Sequence, residues 1–163
     1  MKKLSRVLVA VVAVIAAILL VRCSVLGRDS KSGQPPGLVS GALAPCPDKP
    51  NCVSSEAGED ADHQIAPLDY ADTSPGEAWS ELQQVIGELG GEITVVDGEY
   101  LAATFTSSLF KFVDDVECRL DASNHRIQLR SASRVGHSDL GVNRKRADAI
   151  RRSFDEHVGE YSP

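Results

Sequence analysis

The chain has 163 residues, enough for one domain with short additions. Apolar residues make up 42% of it and charged residues 25%, which are ordinary values for a globular protein. The net charge is −6, and the acids concentrate between Asp29 and Asp121. Because phosphates repel such a surface, the composition excludes general nucleic-acid binding. The basic run Arg144–Arg146 is too short to reverse this conclusion.

The first two dozen residues predict delivery to a membrane. Lys2, Lys3 and Arg6 precede an unbroken apolar run from Val7 to Val21. As a helix this run is about 22 Å long, shorter than a hydrocarbon core of about 30 Å and typical of a secretory signal. It also spans the core if its apolar neighbours are drawn in while Arg6 and Arg22 extend to the interfaces.

Three fates of residues 1–28 stay open. Val25 and Gly27 give a weak small-residue pattern for cleavage after Gly27. Cys23 stands where a lipoprotein cysteine would, but Arg22 occupies the preceding position, which normally holds a small residue. We therefore favour an uncleaved signal anchor, a single span in the cell membrane with the domain facing the periplasm or another extracytoplasmic side. Basic residues also follow the run, so the charge asymmetry that fixes orientation is weak.

A linker and a cysteine-bearing loop come next. Residues 29–44 are rich in Ser, Gly and Pro and have no periodicity, which predicts a flexible linker before a single domain over residues 45–160. Closely spaced prolines exclude a helix around Cys46 and Cys52. In an oxidising compartment these cysteines are expected to form a disulfide. A redox-active pair or half of a zinc site are the alternatives, although there is neither a C-x-x-C motif nor a second ligand pair.

Two amphipathic helices are predicted. The first runs from Pro75 to Leu89, where apolar residues recur at three and four positions. Ser74 is its N-cap, and Gly90-Gly91 ends it. The second runs from about Asn143 to Val158, again with one apolar stripe.

A first β-hairpin is predicted directly after the first helix. Glu92–Val96 and Glu99–Thr106 alternate with period two, and Asp97-Gly98 joins them as a two-residue turn. This register pairs Val96 with Glu99. It also places four side chains on one face: Ile93, Val95, Tyr100 and Ala102.

A second hairpin is predicted from Asp115–Leu120 and Arg126–Ala132. The most compact register that places apolar residues opposite each other pairs Glu117 with Arg130 as a cross-strand ion pair. Cys118 then is a buried strand residue. The elements together predict a two-layer α+β domain with a four-stranded, mainly antiparallel sheet built from two hairpins, one helix before it and one after it.

Three motifs carry a resemblance to a known family. They are Pro-Asn-Cys-Val-Ser-Ser at 50–55, Phe-Val-Asp-Asp-Val-Glu at 112–117, and Arg-Ser-Ala-Ser-Arg-Val-Gly-x-Ser-Asp-x-Gly-x-Asn-Arg at 130–144. Together they closely resemble the family numbered 1499 among the domains of unknown function, over roughly residues 43–157. The resemblance implies a bacterial envelope or plastid setting and no established activity. His137 and Cys118 stand where an aromatic or apolar residue would be as natural.

The same passages contain the densest polar chemistry in the chain. Ten residues are candidates for ligand binding: Asp114, Asp115, Glu117, Arg130, Ser133, Arg134, His137, Asp139, Asn143 and Arg144. One interpretation is an ion-pair and capping network that fixes a long loop to the sheet, with Asn143 as a cap of the last helix. Another is a pocket for a small anionic or polar ligand, headed by the three arginines.

A third interpretation is metal-assisted or acid–base hydrolysis by Asp114, Asp115, His137 and Asp139. The chain lacks a nucleophile elbow, a P-loop and a dinucleotide fingerprint, so no catalytic motif, cofactor or metal site is predicted and the question of an enzyme stays open. We favour a membrane-tethered, non-catalytic envelope module that binds a ligand or an as yet undefined protein partner. A small hydrolase is the alternative.

Overall fold

The computed structural model describes residues 2–70 and 73–160. Within these residues the helices are α1 (Lys2–Asp29), α2 (Pro75–Glu88) and α3 (Val142–Glu160). The strands are β1 (Leu38–Val39), β2 (Ala42–Leu43), β3 (Cys52–Ser54), β4 (Leu68–Asp69), β5 (Glu92–Asp97), β6 (Tyr100–Thr106), β7 (Val113–Asp121) and β8 (Arg126–Ser133). Short 3-10 turns lie at Ser30–Ser32 and Ala122–Asn124.

Six of these strands form one antiparallel sheet. Its order is β3-β8-β7-β6-β5, and β4 pairs with β8 beside β3. The predicted α+β class is therefore confirmed, and the two predicted hairpins correspond to β5–β8. The four-stranded description is incomplete, because β3 has three residues and β4 only two, too few to show an alternating pattern.

Helices α2 and α3 cover one face of the sheet and enclose the core. Phe154 and Leu82 on the helices and Val116 and Leu129 on the sheet are completely buried in this layer. The Ser74 hydroxyl accepts a hydrogen bond from the Glu77 amide at the start of α2, as its sequence predicts. The apolar stripe of each helix and the apolar face of the strands pack together in this layer, as the two periodicities predicted.

The β7–β8 hairpin has the predicted register. Glu117 lies opposite Arg130, and Cys118 lies opposite Leu129. Cys118 is fully buried, as predicted for a strand residue. Burial also raises the pKa of its thiol, which suits a packed side chain and not a nucleophile.

The predicted β5–β6 register is wrong by two residues. Asp97 lies opposite Tyr100, so the two-residue turn is Gly98-Glu99. Gly98 takes a positive φ of 56°, which suits a glycine at the first turn position. A bulge between Ile93 and Val95 then moves Ile93 to the core face, away from the face it was predicted to share with Val95.

Residues 30–44, which we call the strap, lie on the sheet face opposite the helices. The strap contains the hairpin of β1 and β2, and β2 contacts β7 and β8. The Gly37 amide donates to a Glu117 carboxylate oxygen at 2.9 Å. We predicted a flexible linker over residues 29–44; the segment instead forms hydrogen bonds with the sheet and covers buried charges.

Helix α1 extends away from this core. Its side chains from Arg6 to Arg22 are exposed, which rules out a core helix of the domain. By length and composition it is able to cross a membrane. Its C-terminal end leads directly into the strap through Ser30, which is fully buried.

Candidate functional site

A buried carboxylate, Glu117, is the centre of the polar sheet face. Its side chain is 0% exposed. One oxygen accepts from Arg130 at 2.8 Å, and the other accepts from the Tyr100 hydroxyl at 2.8 Å and from the Gly37 amide. The predicted ion pair therefore forms, with two further donors that complete the coordination of the anion. Burial and the Glu117 carboxylate raise the pKa of the Tyr100 phenol, which keeps the hydroxyl as the donor.

A second buried pair lies on the same face. Arg134 donates to both oxygens of Asp115, at 2.7 and 2.9 Å. A further guanidinium nitrogen donates to the Ser30 carbonyl at 3.2 Å. The aliphatic part of Arg134 packs against Gly33, where a Cβ atom would lie 2.8 Å from its Cδ. Arg134 thus fastens the strap to β7.

A third pair, Glu56–Arg119, was not predicted. Arg119 donates to both oxygens of Glu56, at 2.8 and 3.0 Å, and the Leu43 amide donates to the same carboxylate at 3.0 Å. Arg119 lies two residues after Glu117 on β7 and therefore on the same face of the sheet, so its face was predictable. Its partner was not, because Glu56 lies 63 residues away in a loop without periodicity.

The helix-side face carries a separate network. Asp114 points to this face, because side chains alternate along β7, and accepts from Arg146 at 2.8 Å. Asn143 is 1% exposed and connects Ser131, Ser133 and the Asn51 carbonyl.

The prediction that Asn143 caps α3 is wrong, because Asp139 is the capping side chain. Its carboxylate accepts from the Gly141 amide at 2.9 Å and from the Asn143 amide at 2.7 Å. A short acidic side chain three positions before the first helical residue therefore satisfies the free amides of the first turn.

The remaining candidates lie apart. Arg144 donates to the carbonyls of Asp62 and Gln64 at 2.5 and 3.2 Å. His137 is exposed in the loop before α3. The three arginines predicted to head an anion pocket therefore have different protein partners. Among the described residues, no group of three or more His, Cys, Asp or Glu side chains is arranged to hold a metal ion.

A comparison of the sequence with models of known protein families identifies the family of this chain. The model described as "Protein of unknown function (DUF1499)" matches residues 42–154, more than two thirds of the chain. The chain belongs to the DUF1499 family. No curated protein and no solved structure matches it.

The DUF1499 match defines the part of the chain that the family shares. It includes β2–β8 and most of α3, with all three ion pairs of the polar face. Helix α1 and most of the strap precede it. In this protein the charged face of the DUF1499 domain is therefore covered by a segment that lies largely outside the family match.

The DUF1499 motif around the two cysteines forms a cross-linked loop. Cys46 and Cys52 form a disulfide with Cα atoms 5.7 Å apart, as predicted. His63 lies beneath this loop and is 8% exposed. Its Nε2 lies 2.9 Å from the Lys49 carbonyl and its Nδ1 lies 2.9 Å from an Asp60 carboxylate oxygen. Both ring nitrogens therefore face acceptors.

The two acceptors predict a pH-dependent contribution to stability. The Lys49 carbonyl and Asp60 raise the pKa of His63 above its ordinary value of 6.5, despite the opposing effect of burial. Protonated His63 therefore stabilises the fold below pH 6.5, and this contribution is lost as the pH rises through the raised pKa. In urea titrations at several pH values, we expect His63→Gln to destabilise most in acid and least above neutrality. The exposed His137→Gln variant is the control, and a pH-independent loss in His63→Gln would contradict the assignment.

Proposed function

We propose that the protein is a membrane-tethered, non-catalytic binding module whose domain lies on the extracytoplasmic side of the cell membrane. The observation that carries the proposal is that acidic side chains of the polar cluster are already paired with arginines. Asp115 and Glu117 each bind their own arginine, and Asp114 binds Arg146 on the opposite face. Paired acids on opposite faces lack the common reaction centre that a hydrolase needs.

Helix α1 supports the tether. It has 28 residues and a length of about 42 Å, which matches a bilayer of about 40–45 Å with its headgroups. We expect the full chain to pellet with membranes and to remain there after a carbonate wash. Release of the intact chain by carbonate would overturn the tether, and release of a shortened chain would indicate cleavage after Gly27.

The disulfide supports the extracytoplasmic side, because such bonds persist in oxidising compartments. We expect Cys46 and Cys52 to resist maleimide labelling in intact cells until a reductant is added. In the purified protein, reduction should lower the free energy of unfolding by about 2 kcal/mol, since the bond closes a short loop. The double variant Cys46→Ser/Cys52→Ser should not respond to reductant. Free thiols at these positions in fresh cell extracts would place the domain in the cytosol.

The open part of the polar sheet face is the surface we assign to the ligand or partner. A groove of about 430 Å³ lies there, beside the strap. Hydroxyl groups of Thr94, Thr104 and Thr106 line it, together with the charged side chains of Lys31 and Glu92. Polar side chains around a groove of this size suit a small polar or anionic ligand.

Probe titrations test this assignment. With phosphate, acetate and glucose as probes, we expect amide chemical shifts in NMR spectra to change at Thr94, Thr104 and Thr106. Changes centred on Glu117 and Arg130 instead would move the binding site to the buried pairs. Stoichiometric metal in the purified chain would revive the hydrolase alternative.

A further inference from the structure

An exposed patch of apolar and basic side chains lies at the C-terminal end of α1. The loop between β6 and β7 contributes Leu109, Phe110 and Lys111, and the end of α1 and the strap contribute Arg28 and Lys31. We call these five residues the interface patch. Leu109 is 78% exposed. An isolated leucine needs no explanation, but one beside an aromatic ring and three cations does.

Contact with α1 fixes the height of the patch. A Cβ atom on Gly27 would lie 2.0 Å from the Phe110 carbonyl oxygen, so the loop touches the helix backbone at this residue. The Ser30 hydroxyl accepts from the Val113 amide at 2.9 Å and donates to the Gly27 carbonyl at 2.8 Å, which holds the base of the loop to the same turn. Gly27 is in the last turn of α1, whose 28 residues are long enough to span the full thickness of a bilayer. The loop must therefore lie at the level of the headgroups.

The chemistry of the patch suits that level. Arg28, Lys31 and Lys111 are exposed cations, and Asp29 is the neighbouring acid. Anionic headgroups attract such a cluster, while an exposed leucine and a partly buried phenylalanine enter the boundary of the acyl chains. A protein partner would have to compete with the lipid that already surrounds α1.

We propose that the interface patch docks the domain onto anionic phospholipid headgroups of the bilayer that α1 crosses, with Leu109 inserted at the interface. This inference rests on the proposed membrane span of α1. It gives the anchor a second role, because a domain held at two points presents its polar groove in one orientation to the membrane. The anchor alone would leave that orientation free.

Tryptophan quenching in the full chain tests the proposal. Three variants are reconstituted in nanodiscs that contain brominated phosphatidylcholine, with or without phosphatidylglycerol: Ile15→Trp in the middle of α1, Leu109→Trp in the patch, and Val96→Trp. Val96 is 51% exposed and precedes the turn at the opposite end of β6. The signal of the buried Trp79 is subtracted by measuring the wild-type chain.

We expect Leu109→Trp to lose roughly half of its emission in anionic nanodiscs and clearly less without phosphatidylglycerol, while Val96→Trp stays unquenched. Quenching of Ile15→Trp alone would overturn the docking but keep the span. Without quenching of Ile15→Trp, the span itself fails. If Leu109→Trp is quenched equally in both lipid mixtures, the assignment to anionic headgroups is wrong.

Discussion

Glu117→Ala is expected to lower the free energy of unfolding by about 3–5 kcal/mol, because it leaves the buried Arg130 guanidinium without its counterion. Arg130 is 7% exposed and has little access to water. The Tyr100 hydroxyl and the Gly37 amide lose their acceptor in the same step. Urea unfolding followed by circular dichroism measures the loss. Glu117→Gln, which preserves the shape and one acceptor, should fall between the wild type and the alanine variant.

The matched control is Asp69→Ala. Asp69 on β4 lies opposite Arg126 on β8 and pairs with it at 3.0 Å. The Asp69 side chain is 67% exposed and the Arg126 side chain is 51% exposed. Exposed pairs contribute less than about 1 kcal/mol. Similar losses in Glu117→Ala and Asp69→Ala would show that Glu117 is accessible to solvent, contrary to its position beneath the strap.

Asp115→Ala is expected to cost about 3 kcal/mol or more for the same reason, since Arg134 loses a bidentate partner that is 5% exposed. Arg134 also binds the Ser30 carbonyl. We therefore expect the variant to loosen the start of the strap in addition to lowering the melting temperature. Limited proteolysis between residues 30 and 44 should become faster.

Asp148→Ala provides the comparison for this variant. Asp148 lies 3.7 Å from Arg151 on the exposed side of α3, and its removal should change stability by less than about 0.5 kcal/mol. Asp115→Ala also separates the two functional interpretations. A large loss in a metal-free chain supports a structural role, whereas bound metal and a small loss would support the hydrolase.

The sequence predicted the elements in which a local pattern decides the structure. Helix α2 has an N-cap at Ser74 and an apolar stripe, and β7 and β8 alternate strictly, so their register follows from the apolar faces alone. Glu117 and Arg130 lie opposite each other in that register, and their contact was predicted for this reason. Local signals of this kind need no information about distant residues.

The predictions fail where a contact with a distant residue, or one extra residue in a strand, determines the local structure. The bulge near Thr94 inverts the side chains before it. The Thr94 hydroxyl donates to the Ala102 carbonyl at 3.1 Å, a contact that the alternating pattern does not predict. The strap has the composition of a linker. It is ordered because the Gly37 amide donates a hydrogen bond to Glu117, which lies 80 residues later in the chain. A composition rich in Ser, Gly and Pro excludes helices and long strands, but it does not exclude hydrogen bonds to a sheet that forms later in the chain.

The residues predicted as one candidate site do not lie together. Seven of the ten candidate residues lie in β7, β8 or α3, and the other three, Arg134, His137 and Asp139, lie in the loop between β8 and α3. Asp139 takes the capping role that was predicted for Asn143, because the chain enters α3 one residue earlier than expected and Asn143 turns into the interior. Acidic residues and arginines at alternate positions of neighbouring strands indicate a network of ion pairs. Only the observed pairing of these side chains shows whether a charged group remains free to bind a ligand.

Hydrogen exchange of the strap amides in the full chain tests the central claim, that the charged cluster is structural and holds the strap on the sheet. The strap amides of Gly37 and Leu43 donate to the carboxylates of Glu117 and Glu56 at 2.9 and 3.0 Å. The Cys46 amide, just after the strap, donates to the Glu59 carboxylate at 2.9 Å and is measured with them. We expect these amides to exchange at least about a hundredfold more slowly than an unfolded peptide. In Glu117→Gln, protection should fall at Gly37 and persist at Cys46. Exchange of all three amides at the rate of an unfolded peptide in the wild-type chain would contradict the account.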